Sequence, residues 1–512
     1  MGGRALGHVQ RAGQLARIGW VAARARAETS EGRRARARRA LAGMLANARG
    51  IPLKIGQLMA ASDEASFGDL TRGVSPLPAA EVVPVLERAW GCSLDEVLSA
   101  FEESQAAASL GQVHRGVLRG GEVVAIKVQY PHIAEAIDTE LRLAGLLPGV
   151  GPAKRWGFDL EGYRQLLAQN MSRELDYESE AERQREFAEG VPVAGLVVPR
   201  VWDQLCRRNV LVQSWEDGES LRAAISWPMR ERLELGRVLL RTLFHSLFHH
   251  GELHADPHDG NWMFRRSPVR VVLLDYGCTL AVAPPRRLAL LKLILASREG
   301  GLGSMLEGLA ALGFDAHKLV HIADKVPAIC RVLLRPFFRD RPFSVSDWHP
   351  SEDLKLALED DRWWFRSAGP PDSVLLIRAF HGLTRQLEKL DVKLDWWQIL
   401  HETVGEDGVA RARAFCPPPV RGGPSRAITM PRAASHLRVR VLEGGRQRVA
   451  LALPSEAATD LRGLIPPEVL ELVTRARIDL DAIQRRVLSR ALAPQAVLEL
   501  QDGDREYRVW LE

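Results

Sequence analysis

The chain has 512 residues, of which 46% are apolar and 26% charged, with a net charge of +5. That composition belongs to a globular protein of two to four domains and excludes a disordered or fibrous chain. No run reaches the roughly 18 uncharged apolar residues of a membrane span, since the strongest, Leu288 to Ala296, contains Lys292.

The charge is unevenly placed. The first 40 residues hold ten arginines against Glu28 and Glu31, a local net of +8 that leaves the rest of the chain at −3. Such an arm suits an anionic membrane surface or nucleic acid, although a solvated charge run is the commoner explanation. Leu15, Ile18 and Val21 beside Trp20 favour the membrane over nucleic acid. Arg11, Arg17 and Arg24 interrupt any secretory signal, so a cytoplasmic protein, peripheral to a membrane at most, is expected. Five cysteines, at 92, 206, 278, 330 and 416, show no C-x-x-C pairing and read as core or incidental thiols of a reducing compartment.

Residues 41 to 104 read as a helical extension, in which a helix beginning near Pro52 carries LKIGQLM. Taken alone, its Lys54 and Gln57 are surface residues three apart on one face. A short helix is expected to run to about Phe101. Residues 105 to 217 begin with two β-rich runs joined by Gly120-Gly121, a tight-hairpin composition. The second run ends in Val124-Ala125-Ile126-Lys127, the pattern that places a phosphate-holding lysine on a kinase strand.

A helical region follows from Ile133, and a long helix is expected from about Glu161 to Glu189. On it Asp176 and Glu180 would share a face one turn apart, and either acid could approach a basic partner. Strands at Val197–Trp202 and Asn209–Ser214 lead through Trp215 to Gly218 into a helical lobe spanning 218 to 415. Residues 416 to 434 read as a Pro/Gly-rich linker. Residues 435 to 512 alternate, turn helical and end on an Asp502-Gly503 hairpin signal, the pattern of a small α+β module.

The chemistry is concentrated between Gly251 and Gly277. His254, Asp256 and Asn261 stand in H-x-D-x-x-x-x-N spacing, and Asp275, Tyr276 and Gly277 follow an apolar strand. Phosphoryl transfer needs a carboxylate beside the attacking hydroxyl, here Asp256, and oxygen ligands for magnesium, here Asn261 and Asp275. Asp-Pro and Asp-Gly pairs are also ordinary turn signals. His250, His254 and His258, spaced by four, suggest metal ligands on a helical face, although Pro257 interrupts that helix.

In combination these motifs resemble those of the UbiB-type atypical protein-kinase-like family, which is linked to coenzyme Q and other isoprenoid lipids. The resemblance rests on the K-x-G-Q stretch at Lys54 to Gln57, AAASLGQVH at Ala106 to His114, Lys127, the E-x-D pair Glu174 and Asp176, HADPHDGN, and LLDYG. It implies an α+β, bilobal kinase-like fold with a helical N-terminal extension, binding ATP or ADP with Mg2+. It also implies an ATPase or kinase acting on an isoprenoid lipid, a quinone precursor or another small molecule. The alanine-rich loop, with Ala106, Ala107, Ala108 and Ser109, would replace a glycine-rich lid, and Gln213 and Trp215 would join Lys127 around the nucleotide. Glu180 is the expected partner of Lys127. Lys54 and Gln57 would close over the site as a regulatory clasp facing Glu174 and Asp176. Asp259, Tyr276, Leu280 and Ser214 depart from the family's usual residues, which keeps a second function open: a weakly catalytic, nucleotide-binding scaffold that recruits partner proteins.

Overall fold

A computed structural model describes residues 76–107, 110–135, 137, 157–421 and 427–512. The arginine-rich arm and the stretch holding Lys54 and Gln57 lie outside the described residues, as do Ala108 and Ser109.

The N-lobe is built on a four-stranded antiparallel sheet ordered β1 (Leu98–Ala107), β2 (Gly111–Leu118), β3 (Val123–Gln129) and β5 (Val210–Ser214). Alternation along β3 decides what each face carries. Val124, Ile126 and Val128 pack with Val82 and Leu86 of helix α1 (Ala79–Trp90), while the other face presents Lys127 towards the opposite layer. Gly121, at φ +93°, makes the expected turn between β2 and β3.

Two helical expectations hold only in part in this lobe. The helix foreseen up to Phe101 is α1, which ends at Trp90; a single turn follows at Leu94–Val97, after which the chain pairs with β2 from Leu98 onward. Non-local pairing overrides an Ala- and Glu-rich local composition there. The long helix foreseen from Glu161 to Glu189 is two, α2 (Leu160–Glu174) and α3 (Tyr177–Gly190). Asp176 is the N-cap of α3 and accepts from the Ser179 amide at 3.1 Å, so it does not share a helical face with Glu180. The strand expected over Val197–Trp202 is reduced to β4 (Leu196–Val197), which pairs in parallel with Val271 and Val272, and an isolated bridge from Val201 to Gln213.

The C-lobe opens with α4 (Met229–His245) and a π turn at Ser246–His250. Short strands follow: β6 (Glu252–His254), β7 (Trp262–Arg266), β8 (Val269–Leu273) and β9 (Thr279–Ala281), with β6 paired to β9 and β7 to β8. Helices α5 (Pro284–Glu299), α6 (Val326–Leu333), α7 (Pro350–Leu358), α8 (Ser373–Lys389) and α9 (Trp396–Ala414) complete it, with a two-residue ladder between β10 (Phe343–Ser344) and β11 (Lys393–Leu394). A large core gathers Phe244, Phe264, Tyr276, Phe337 and Trp396. This is an α+β, bilobal, kinase-like arrangement.

Part of the stretch expected to be a Pro/Gly-rich linker packs against the C-lobe. Met430 is buried beside Leu306 and Ile329, and Arg331 donates to Pro431 O at 2.8 Å. The C-terminal module is a sheet ordered β13 (Arg446–Pro454), β12 (His436–Glu443), β15 (Arg505–Leu511) and β14 (Gln495–Asp502), covered by α10 (Pro467–Arg475) and α11 (Leu480–Ser489). Its last hairpin turns at Gly503, φ +64°, as the Asp-Gly pair predicts. Among the described residues no helix is long and apolar enough to cross a membrane.

Candidate functional site

Strand β3 carries Lys127 out over the cleft, and α3 brings Glu180 to meet it. Lys127 Nζ lies 2.7 Å from Glu180 Oε1 and 3.3 Å from Asp275 Oδ2. Burial works against the ammonium, but the Asp275 and Glu180 carboxylates outweigh it and hold the lysine pKa above its usual value. Burial also pushes the Glu180 carboxyl up, against the pull of Lys127. Burial is the first cause of the Glu180 rise, and sharing one ammonium with Asp275 adds to it.

Asp275 is the accessible member of the cluster. Its side chain is 35% exposed, whereas that of Glu180 is 2% exposed, so a cation can reach Asp275 and not Glu180. Asn261 curls back to the same loop, where its Nδ2 donates to Asp256 O at 3.1 Å and its amide oxygen stays free of that bond. A carboxylate and an amide oxygen are hard donors of the kind magnesium takes. The residues present therefore fit a magnesium nucleotide.

Helix α3 also fixes the loop that carries Asp275. Tyr276 N–H donates to Glu180 Oε1 at 3.3 Å, and Arg183 Nε donates to Tyr276 O at 3.0 Å. The buried Tyr276 hydroxyl bonds Leu273 O at 3.2 Å, and its ring packs against Phe187 and His254. Burial pulls the His254 pKa down despite Asp256 and Asp275, and the neutral ring contacts Asp275 O through Nε2 at 3.0 Å. Gly277 N–H donates to Asp275 Oδ1 at 3.0 Å.

Asp256 is not open. Arg378 Nη2 of α8 donates to Asp256 Oδ1, and both side chains are largely buried. Burial opposes the Arg378 charge, but contact with Asp256 outweighs it and raises the guanidinium pKa further. Two more contacts press α8 onto this loop. Gly382 has no room for a side chain, since a Cβ there would fall 1.9 Å from Pro257 Cγ. Lys389 Nζ pairs with Asp259 Oδ2 at 2.7 Å, so a residue that departs from the family pattern has an ion-pair role. Sequence reasoning missed α8. The one signal available was Gly382, a glycine inside a helix, where it costs about 1 kcal/mol relative to alanine and so implies close packing.

The remaining expected site residues are spread around the cleft. Glu174 ends α2 and is buried, with its Cγ 3.6 Å from where a Gly277 Cβ would lie. Ala106 and Ala107 close β1 opposite Val113 and Gln112. Gln213 is buried, and its Nε2 donates to Leu274 O at 3.2 Å, tying the N-lobe sheet to the strand before Asp275. Trp215 begins the crossing between lobes, its N–H on Val123 O and its Nε1 on Asp217. His250, His254 and His258 fall on the π turn, on β6 and on the following loop, not on one helical face. Among the described residues no group of three or more His, Cys, Asp or Glu side chains converges as a metal centre.

Residues 69–307 match a family described as the ABC1 atypical kinase-like domain. "Atypical kinase COQ8B, mitochondrial" of Danio rerio is 32% identical over 252 residues, covering 46% of this chain and 39% of that protein. "Atypical kinase coq-8, mitochondrial" of Caenorhabditis elegans is 27% identical over 389 residues, covering 71% of this chain and 51% of that protein. The chain thus spans about half the length, or less, of these curated relatives. Among solved structures, an Rv3197–erythromycin complex from Mycobacterium tuberculosis is 24% identical with a TM-score of 0.45, covering 71% of this chain and 93% of that one.

Proposed function

Because this chain belongs to the ABC1/UbiB family of atypical kinases, we propose that it binds ATP with magnesium and acts as an ATPase or phosphotransferase on a small-molecule or isoprenoid-lipid pathway such as quinone biosynthesis. The observation that carries the reading is the ammonium of Lys127 held between the buried Glu180 and the accessible Asp275. Lys127 would hold the nucleotide phosphates, with Glu180 keeping its Nζ in place. Asp275 and Asn261 would hold magnesium, which when bound offsets the charge that develops on the transferred phosphoryl group. Asp256 would accept the proton of the attacking hydroxyl or water.

The test is a thermal shift. ATP with magnesium is expected to raise the Tm of the intact protein, and Asp275→Asn to abolish the rise. No shift in the intact protein would defeat the reading.

A second reading is favoured by one contact. With Arg378 on Asp256, the carboxylate is occupied, which suits a nucleotide-binding scaffold of weak turnover. Phosphate release that tracks the purified protein and disappears in Asp256→Asn would exclude it.

The clasp is also proposed. Glu174 is buried beside the Asp275 loop, and Lys54 would close over it. Lys54→Ala and Glu174→Ala should each change nucleotide affinity, and the double variant should change it by less than their sum. Strict additivity would mean that the two residues are uncoupled.

A further inference from the structure

We propose that the cleft at the seam between the C-lobe and the C-terminal module binds a small phosphate-bearing anion. The cleft is partly open and offers about 220 Å³, more than ten times the roughly 10–15 Å³ that a single water requires. Four cations face it, Arg335, Arg339, Arg341 and Lys393, against Asp347 and Glu456, a net of +2. None of its lining residues is among those assigned to the nucleotide site, and no step proposed above uses it.

The existing ion pairs do not satisfy these cations. Glu456 is buried and answers two guanidiniums at once, Arg339 Nε at 3.2 Å and Arg341 Nη2 at 3.3 Å. One carboxylate therefore leaves one guanidinium charge uncompensated. Arg335 reaches only Asp353, at 3.5 Å, and its buried Nε has no hydrogen-bond partner. Lys393, held opposite Ser344 by the β10–β11 ladder, has neither an ion pair nor a hydrogen bond to its ammonium among the described residues.

The walls are prearranged for a ligand that repairs this. Arg339 is fixed by Ala434 O at 2.7 Å and Ser455 Oγ at 2.9 Å, and its guanidinium lies over Phe338. Pro336, Pro342 and Phe343 stiffen the rest. Guanidinium forks and an ammonium converging from several sides match the spread oxygens of a phosphate or diphosphate group better than the two coplanar oxygens of a carboxylate. The modest volume suits a free phosphorylated metabolite or a lipid headgroup, and not a nucleic-acid strand.

The experiment is titration calorimetry on the full chain with pyrophosphate in the presence of EDTA, paired with flotation on vesicles containing phosphatidic acid. One-to-one pyrophosphate binding is expected, weakened tenfold or more in Arg335→Gln and in Lys393→Glu and retained in Asp275→Asn. The Lys393 change is exposed and keeps the fold testable if the Arg335 variant is unstable. Vesicle binding that needs Lys393, without pyrophosphate binding, would identify the headgroup as the source of the same chemistry. Binding of neither probe, binding that survives both substitutions, or binding lost in Asp275→Asn would each overturn the proposal.

Discussion

Replacing Lys127 with methionine is expected to destabilise the protein by about 3–5 kcal/mol at neutral pH, because it strands the buried Glu180 carboxylate beside Asp275. The penalty should depend on pH in a fixed direction. Glu180 already has a raised folded-state pKa, and losing the ammonium raises it further. A group raised in the folded state contributes stability that is present below its unfolded pKa and lost as pH rises through the folded one. The gap between variant and wild type should therefore be widest at pH 8 and narrow as pH falls towards about 4.3, the unfolded glutamate value. Urea denaturation at several pH values measures it. A gap that stays constant with pH would show that Glu180 is not the group left behind.

Arg378→Ala is expected to cost a similar amount, about 3–5 kcal/mol, since it leaves Asp256 buried without its cation. Arg378→Lys should recover much of this, because a charge remains, but without the planar fork. Gly382→Ala should resemble Arg378→Ala, although alanine favours a helix: its Cβ collides with Pro257 and pushes α8 off the loop. If both Arg378 variants changed stability by less than about 1 kcal/mol, the range of an exposed ion pair, the contact would not be a buried one.

The cleft was legible where local pattern and spacing agree. Alternation along β3 puts Lys127 on the face away from Val124 and Ile126, and the expected partner, Glu180, meets it from α3. The pairing of Asp256 could not be read, because Arg378 lies 122 residues away in a helix whose apolar stripe masks its polar member. The break at Asp176 was obscured by an unbroken run of helix-compatible charges, although Asp176 and Ser179 have cap spacing. Strand β1 was hidden for the opposite reason: its residues prefer a helix, and only its pairing with β2 makes them extended. The basic cleft at the module seam combines residues from 335 to 456, and no local window contains it.

The packing of Tyr276 has a pharmacological consequence. Compounds that trap conventional kinases by turning the aromatic residue of this loop outwards require a ring that can leave its pocket. Here departure would break the bond to Leu273 O, at about 1–3 kcal/mol for the buried acceptor. It would also open a void beside Phe187 and His254, where emptying an aromatic site costs about 3–5 kcal/mol. Inhibitors of that class should spare this protein, and selective ligands will have to be built for the loop in its inward position.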